Sequence, residues 1–594
     1  MKMILGIIVL TLIIAPALSA VAADPAPAAA APALPALQDY AKPGQLDLPP
    51  DGMASLYRTP WRSNARTVSA HDLAEGVGIY HKHIPGPPAW GVEAYTNIMK
   101  QMAACGVKHI RLAPHLAMYI NKDWTAPKPD ELLGLKNEFI AAKANGIRPC
   151  VVFVHMPPMG GQAALQKWID EAKPWKTDFM PQGAAGSPEY AAYLDKTFLA
   201  MQFILKTARE AGFTAKDSYD MEMGQNLWWG FPALKPNSAL TLKDLQPGGL
   251  IYEFDKTLME RARKEGFKEP SFLCSQSYHY FENMNDKELA DLHAGRAISV
   301  YSQWQGIANA ADFTGSDAWP IRPPLKFFEG QPPAVPLMKP EGFMADFSRR
   351  DCLIPLLKTS KKPICLTSLG VVPYDIPTLM IQKKEGEKTV KAKADGVDGW
   401  LLKCKGLTRS LAFWINQGVP FVLIHSAYEG ADDEMSHALM PKIADPLTFK
   451  WEYSRPLSTM HSFIEPVAGA RQVNTLTGLK FKYALADDTE LIPKSEKGEP
   501  LKASDAVAIL PFQISKKKFA VAAYVVTPTI TVPLKPTKMT LQVDQIVKGE
   551  VATLHPVTQV KGAATILETN TKDKTTTMSF TVDDSVTWVV FTAK

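Results

Sequence analysis

The stretch AACGVKHIRLAPH, residues 103–115, decides the fold. A helical segment closes on Gly106, and an apolar run rich in β-formers follows at once. Glycine after a helix reads as a left-handed cap, because it lacks the Cβ that penalises positive φ. The same succession recurs in KANGIRPCVVFVH (143–155), REAGFTAKDSYDMEM (209–223), RKEGFKEPSFLCSQS (263–277) and INQGVPFVLIHS (415–426). The runs after each glycine are almost continuously apolar, as strands buried on both faces must be. Helices alternating with such strands predict βαβ units and a parallel sheet.

Three further runs, GVGIYHKH (76–83), RAISVYSQW (296–304) and KPICLTSLG (362–370), bring the count of strands to eight. Eight units predict an α/β chain closed into a (β/α)8 TIM barrel, with an open doubly wound sheet as the alternative. Connections from helix to strand are short, whereas those after strands are long: 156–189, 227–250, 305–345 and 371–398. In a barrel these loops gather at the C-terminal face, where barrel active sites are built. Beyond residue 460 helical periodicity gives way to short β-branched runs such as DAVAILPFQI, KFAVAAYVV and VTWVVFTA. They predict a C-terminal antiparallel β-sandwich.

The first residues carry Lys2, the apolar run Met3–Ala15, Pro16 and then small residues, the pattern of a signal peptide over 1–22. An Ala/Pro-rich linker over 23–55 follows. The barrel is expected over 56–460 and the sandwich over 461–594. A cleaved leader predicts a secreted or periplasmic protein. The apolar run is shorter than the roughly 20 residues of a spanning helix, and no later segment is long and apolar enough to span a membrane.

The 594 residues are 46% hydrophobic and 21% charged, values of a globular chain. Net charge is +5, from 65 basic and 60 acidic residues, too even to predict a nucleic-acid partner. The basic runs, Lys383-Lys384 among them, read as solvated surface, though an anionic glycan stays open. Cys150, Cys274 and Cys365 fall inside apolar runs and read as buried thiols rather than bridges. No metal-ligand spacing, phosphate loop or calcium loop is visible, so no cofactor and no metal is expected.

In strand order, residues 70–460 resemble the clan of (β/α)8 glycoside hydrolases that places catalytic glutamates after strands four and seven. GVKHIRLAP resembles the clan's second strand, with Arg111 at its arginine position. VVFVH resembles the third, ending in His155. YDMEMGQN resembles the fourth, which normally ends Asn-Glu, and KPICLTSLG the seventh, which normally reads Thr-Glu. The resemblance implies a glycoside hydrolase acting on a poly- or oligosaccharide. A pseudo-glycosidase or scaffold that binds carbohydrate without cleaving it is the alternative.

The departures fall on the chemistry. Gln225-Asn226 stand where Asn-Glu is expected, and Thr367-Ser368 where Thr-Glu is expected. Retaining hydrolysis needs two carboxyl groups about 5–5.5 Å apart, and inversion a gap of roughly 6.5–9.5 Å. An amide cannot donate a full proton, and a hydroxyl without a base is a poor nucleophile. Other carboxylates must then serve: Glu222, on the face of strand four that also carries Gly224 and Asn226, Asp375 after strand seven, and Glu429 after strand eight. The bland alternative for Glu222 is an ion pair with Arg111 filling a barrel layer. Saccharide contacts are expected from Arg111, His155, Asn226, Trp228, Trp229, Tyr278, His279, Tyr301, Trp304 and Tyr374, because aromatic faces stack on sugar rings. His155 and His425 also read as hydrogen-bonded core histidines.

Overall fold

Eight short parallel strands pair around a complete ring. The computed structural model describes residues 34–40, 77–81, 90–112, 126–127, 129–153, 184–217, 219–223, 247–276, 311–318, 364–370, 380–385, 388–393, 398–416, 419, 421–427, 438–441, 443–467, 478–492, 501–527 and 534–594. After a two-residue strand β1 (Gln38–Asp39), the barrel strands are β2 (Val77–His81), β3 (His109–Leu112), β4 (Arg148–Phe153), β5 (Tyr219–Met223), β6 (Pro270–Gln276), β7 (Phe313–Ala318), β8 (Ile364–Gly370) and β11 (Val422–His425). β11 pairs in parallel with both β8 and β2, which closes the ring. Between β8 and β11, β9 (Met380–Glu385) and β10 (Lys388–Lys393) form a hairpin. The open doubly wound alternative is thereby set aside.

The sixth barrel strand corrects the sequence reading. RAISVYSQW (296–304) was expected there, but that place belongs to Phe313–Ala318, which pairs with β6 and β8. The segment FTGSDA has no apolar run, because small residues suffice at this part of the wall. Residues 296–304, with Tyr301 and Trp304, lie outside the described residues.

Helices α1 (Val92–Ala104), α2 (Pro129–Ala144), α3 (Pro188–Glu210) and α4 (Leu250–Lys264) each feed the next strand through the expected cap. Gly106 has φ +83° and Gly212 φ +90°, conformations a side chain would strain. The amide of the apolar residue that follows reaches back five residues along the chain: Val107 to the Met102 carbonyl at 3.1 Å and Phe213 to that of Ala208 at 3.0 Å. Ile147 and Phe267 repeat the bond, so each helix hands its chain to the strand in the same way. The corner after α3 is braced by Arg209. Its guanidinium lies 4.0 Å over the Phe267 ring, with Nε 2.6 Å from Glu269.

Side chains on the barrel strands divide by alternation. Ile110, Leu112, Val151, Phe153, Met221, Met223, Leu366, Val422 and Ile424 join the helices in one large core. Cys150, Leu273, Cys365, Phe421 and Leu423 cluster separately, inside the ring. Cys150 and Cys365 are free and buried, as the apolar runs implied, and burial pushes both thiols well up. The side chain of Cys274 is not described.

After α5 (Gly399–Asn416), β11 and α6 (Arg455–Ile464), the C-terminal region is a single nine-stranded antiparallel sheet. Its strands in spatial order are β1, β12 (Phe481–Leu485), β17 (Thr537–Val543), β20 (Thr575–Val582), β19 (Val560–Asn570), β18 (Val547–His555), β21 (Thr587–Ala593), β16 (Lys518–Val525) and β15 (Val507–Gln513), while β13 (Glu490–Ile492) and β14 (Leu501–Lys502) pair separately. The expected sandwich is thus one continuous sheet curled on itself. β19 marks the fold line: Val560–Ala564 pair with β18, and Thr565–Asn570 with β20. Residues from both halves, Leu541 and Met578 with Val521 and Phe591, share one core. Residues 38–40 were expected in the linker, yet β1 extends this sheet, and the Tyr40 hydroxyl accepts from the Ile509 amide at 3.1 Å.

β15 and β16 are buried on both faces. Val507, Ile509, Val521 and Ala523 enter the sheet's own core, while Ala508, Leu510, Ala520 and Tyr524 enter the core of the barrel helices. Polar groups key this contact. Lys405 of α5 holds both Asp584 oxygens at 2.8 and 2.9 Å, and Arg409 donates to Thr527. Among the described residues no helix is long and apolar enough to cross a membrane.

Candidate functional site

The register around the ring sorts inward residues into layers of four from alternate strands, the arrangement that fills such barrels. Gly78, Cys150, Leu273 and Cys365 make one layer from the odd-numbered barrel strands. Gly78 must be glycine: a Cβ there would stand 2.3 Å from Leu423 Cδ2 and 2.9 Å from His109 Cβ. On the even-numbered strands, His109, Asp220 and Phe421 lie lower, with the His109 and Phe421 rings stacked at 4.4 Å. Arg111, Glu222, Gly315 and Leu423 lie above them, toward the C-terminal ends.

Two ion pairs therefore sit inside the wall. Near the N-terminal end, Arg148 Nε donates to both Asp220 oxygens at 3.0 and 2.9 Å, and its Nη2 reaches Ser271 Oγ at 3.1 Å. Burial pushes the Asp220 carboxyl above its ordinary range, and Arg148 pulls it only part of the way back. Nearer the mouth, Arg111 Nε donates to Glu222 Oε2 at 2.5 Å and Nη2 to Oε1 at 2.7 Å. Both side chains are wholly enclosed. A planar guanidinium meeting a carboxylate with two parallel bonds is the strong form of this contact. The structure thus brings together Arg111 and Glu222, each the penultimate residue of its strand.

Thr367 and Ser368, the hydroxyls that replace Thr-Glu, fall inside β8 rather than after it. Pairing shifts there on both sides, between Ser316 and Asp317 on β7 and between Val422 and Ile424 on β11. Leu366 and Leu369, three apart, both join the outer core. A β-bulge at Thr367–Ser368 accounts for both facts. Bulges re-aim side chains and are frequent beside active sites. Thr367 is buried, as is His425 at the end of β11.

The register also exposes a carboxylate that pattern reading missed. Asp317 is the penultimate residue of β7 and pairs with Ser368 at the bulge. Phe313 and Gly315 of the same strand pair with Leu273 and Cys365. The only sequence signal is an acid two residues before Trp319 inside a long loop, which pointed to no strand.

His155, Asn226, Trp228, Trp229, Tyr278, His279, Tyr301, Trp304, Tyr374, Asp375 and Glu429 lie outside the described residues. Among the described residues no cluster of His, Cys, Asp or Glu could hold a metal ion.

The architecture is that of a barrel of eight parallel strands with helices outside, followed by a curled antiparallel sheet. No family model matches the chain, and no curated protein matches it. Solved structures similar to it include a glycoside hydrolase family 30 subfamily 8 xylanase from Clostridium acetobutylicum, at 13% identity and TM-score 0.44, over 89% of this chain and 98% of that one. An endo-beta-1,4-mannanase from Thermotoga petrophila is similar at 12% identity and TM-score 0.40, over 88% and 98%. A GH5_18 protein from Streptomyces cattleya in complex with GlcNAc is similar at 13% identity and TM-score 0.38, over 65% and 78%.

Proposed function

We propose that this chain is an exported, glycoside-hydrolase-like protein that engages a poly- or oligosaccharide at the C-terminal rim of its barrel. The observation that carries this reading is the bidentate Arg111–Glu222 pair at the C-terminal ends of the second and fourth strands of a closed ring. Those are two of the positions at which the sequence resembles the hydrolase clan. The pair makes a rigid, polar floor beneath the rim, from which the long loops depart. Trp228, Trp229, Tyr278 and Tyr374 on those loops supply stacking faces, and His155, Asn226 and His279 hydrogen-bonding edges.

On the hydrolytic reading, acid and base come from carboxylates other than the clan's usual two. Asp375 and Glu429, which follow the seventh and eighth strands, serve with Glu222 as the acidic set. One observation favours the second reading, binding without cleavage: Glu222 is fully enclosed and gives both oxygens to Arg111. A carboxylate so engaged positions its neighbours rather than attacking a sugar.

Incubating the full chain with a panel of polysaccharides separates the readings. New reducing ends that vanish in Asp375→Asn or Glu429→Gln support hydrolysis. Saturable retention on a glycan with no products supports binding alone. Neither retention nor products from any glycan would remove the proposal.

A further inference from the structure

We propose that residues 38–40 are a latch that closes the seam of the curled sheet, and that releasing Tyr40 alone opens the sheet at β15. The inference goes beyond the functional reading above and stands whether or not the chain engages a glycan.

A seam exists because the sheet is curled but not closed. Its outermost strands are β1 at one edge and β15 at the other, and no backbone ladder joins them. A strand edge presents a row of unpaired amides and carbonyls that a protein must cover or block. β15 blocks part of its own edge. Pro511 has no amide to offer, and its carbonyl accepts from Asn416 Nδ2 of α5 at 2.9 Å. The Ile509 amide, two residues earlier, points to the same edge and has no such cover from its own strand. It donates to the Tyr40 hydroxyl at 3.1 Å.

Tyr40 reaches that amide from the opposite edge. Gln38 and Asp39 pair with Tyr483 and Lys482 of β12, and the Tyr40 amide donates to the Phe481 carbonyl at 2.9 Å. The Tyr40 ring is buried in the sheet's own core, edge-on to Tyr483 at 5.9 Å between centroids. One residue therefore holds both margins, by its backbone on one side and its hydroxyl on the other. The 3-10 turn Ala503–Ala506, which leads into β15, is fastened across the same seam. Its Ser504 carbonyl accepts from the Tyr483 hydroxyl at 2.6 Å and from Gln38 Nε2 at 3.3 Å.

A strand of two residues has little hold of its own, so the latch is kept in place by side chains, the Tyr40 ring and hydroxyl above all. What it closes reaches the barrel. β15 sends Val507 and Ile509 into the sheet's core, and Ala508, Leu510 and Phe512 into the core of the barrel helices. A cut at the end of the expected signal peptide leaves the latch intact. Trimming past Tyr40 removes it and strips the Ile509 amide of its acceptor.

The test uses the full chain, with Tyr40→Phe and Tyr40→Ala as variants. Asp39→Asn is the control, because that side chain is 83% exposed and its contact with Lys482 is a long surface pair at 3.5 Å. Amide hydrogen exchange is followed by mass spectrometry on peptides covering β15 and β20, the latter paired on both sides within the sheet. In Tyr40→Phe the β15 peptide should exchange roughly fivefold faster or more, from the one amide left buried without an acceptor. In Tyr40→Ala the acceleration should be at least as large and should extend to β12. The β20 peptide should keep its wild-type rate in both variants, and Asp39→Asn should match wild type throughout. Unchanged β15 exchange in Tyr40→Ala, or equal acceleration of β15 and β20, would overturn the latch. So would an Ile509 amide that exchanges without protection in the wild type. Should Tyr40→Ala fail to fold, Tyr40→Phe decides, since it removes a single oxygen.

Discussion

Replacing Glu222 by Gln tests whether the Arg111–Glu222 pair is a structural floor. Both side chains are wholly enclosed, and the carboxylate takes Nε at 2.5 Å and Nη2 at 2.7 Å. Glutamine keeps the size of the acid but leaves a buried guanidinium without its counter-charge. Breaking a buried pair from one side costs about 3–5 kcal/mol. With a urea dependence of about 3 kcal/mol/M, the unfolding midpoint should fall by roughly 1–1.7 M. Arg111→Met should cost a similar amount, now by stranding the carboxylate. The double variant Arg111→Met/Glu222→Met replaces the pair by apolar chains of similar length. It should be far less damaging than the sum, because desolvating two charges roughly offsets their attraction. Urea unfolding followed by far-ultraviolet circular dichroism measures all four proteins. Single variants costing less than about 1 kcal/mol, or costs that simply add in the double variant, would refute the argument.

Gly78→Ala should destabilise by about 1–3 kcal/mol in the same assay, since the new methyl would meet Leu423 and the His109 backbone within the innermost layer. Lys405→Met should cost about 3–5 kcal/mol by removing the ammonium that holds both oxygens of buried Asp584. Because that pair joins α5 to the curled sheet, calorimetry should split one transition into two. Asp583 is pushed up by burial, but the hydrogen bond and charge of His555, the Ser585 amide and Lys405 hold its carboxyl below the ordinary range. Its stabilisation is therefore present above the ordinary carboxylate pKa of about 3.9 and lost as pH falls through the lowered value. The gap in urea midpoint between wild type and Asp583→Asn should shrink as pH falls below about 4.

How much of this was legible in the sequence follows from where each signal is stored. The helix-to-strand corners were legible because a local rule writes them. A residue with positive φ must end the helix, and the next amide must reach back to it, so Gly106 and Gly212 announce their strands from a dozen neighbouring letters. The runs buried on both faces were legible for the same reason: Arg148–Phe153 and Val422–His425 carry their apolar character in consecutive residues. The curled sheet was legible as strands but not as a single surface. Whether β19 ends one sheet or turns a corner depends on which neighbour each half finds, and VKGAATILETN looks the same either way. β1 was hidden because two residues of strand inside an Ala/Pro-rich stretch leave no periodicity at all.

The sixth strand failed for a deeper reason, and the same reason hid Asp317. A barrel layer is filled by four residues from four strands, and only their combined volume is fixed. Arg111 and Glu222 are long, and Leu423 is of middling size. The fourth member of their layer is Gly315, which leaves room for the ion pair. The small letters of FTGSDA are thus dictated by residues about 90 to 200 positions distant, so no window around residue 315 could reveal a strand. The apolar run at 296–304 satisfied the local rule and drew the assignment.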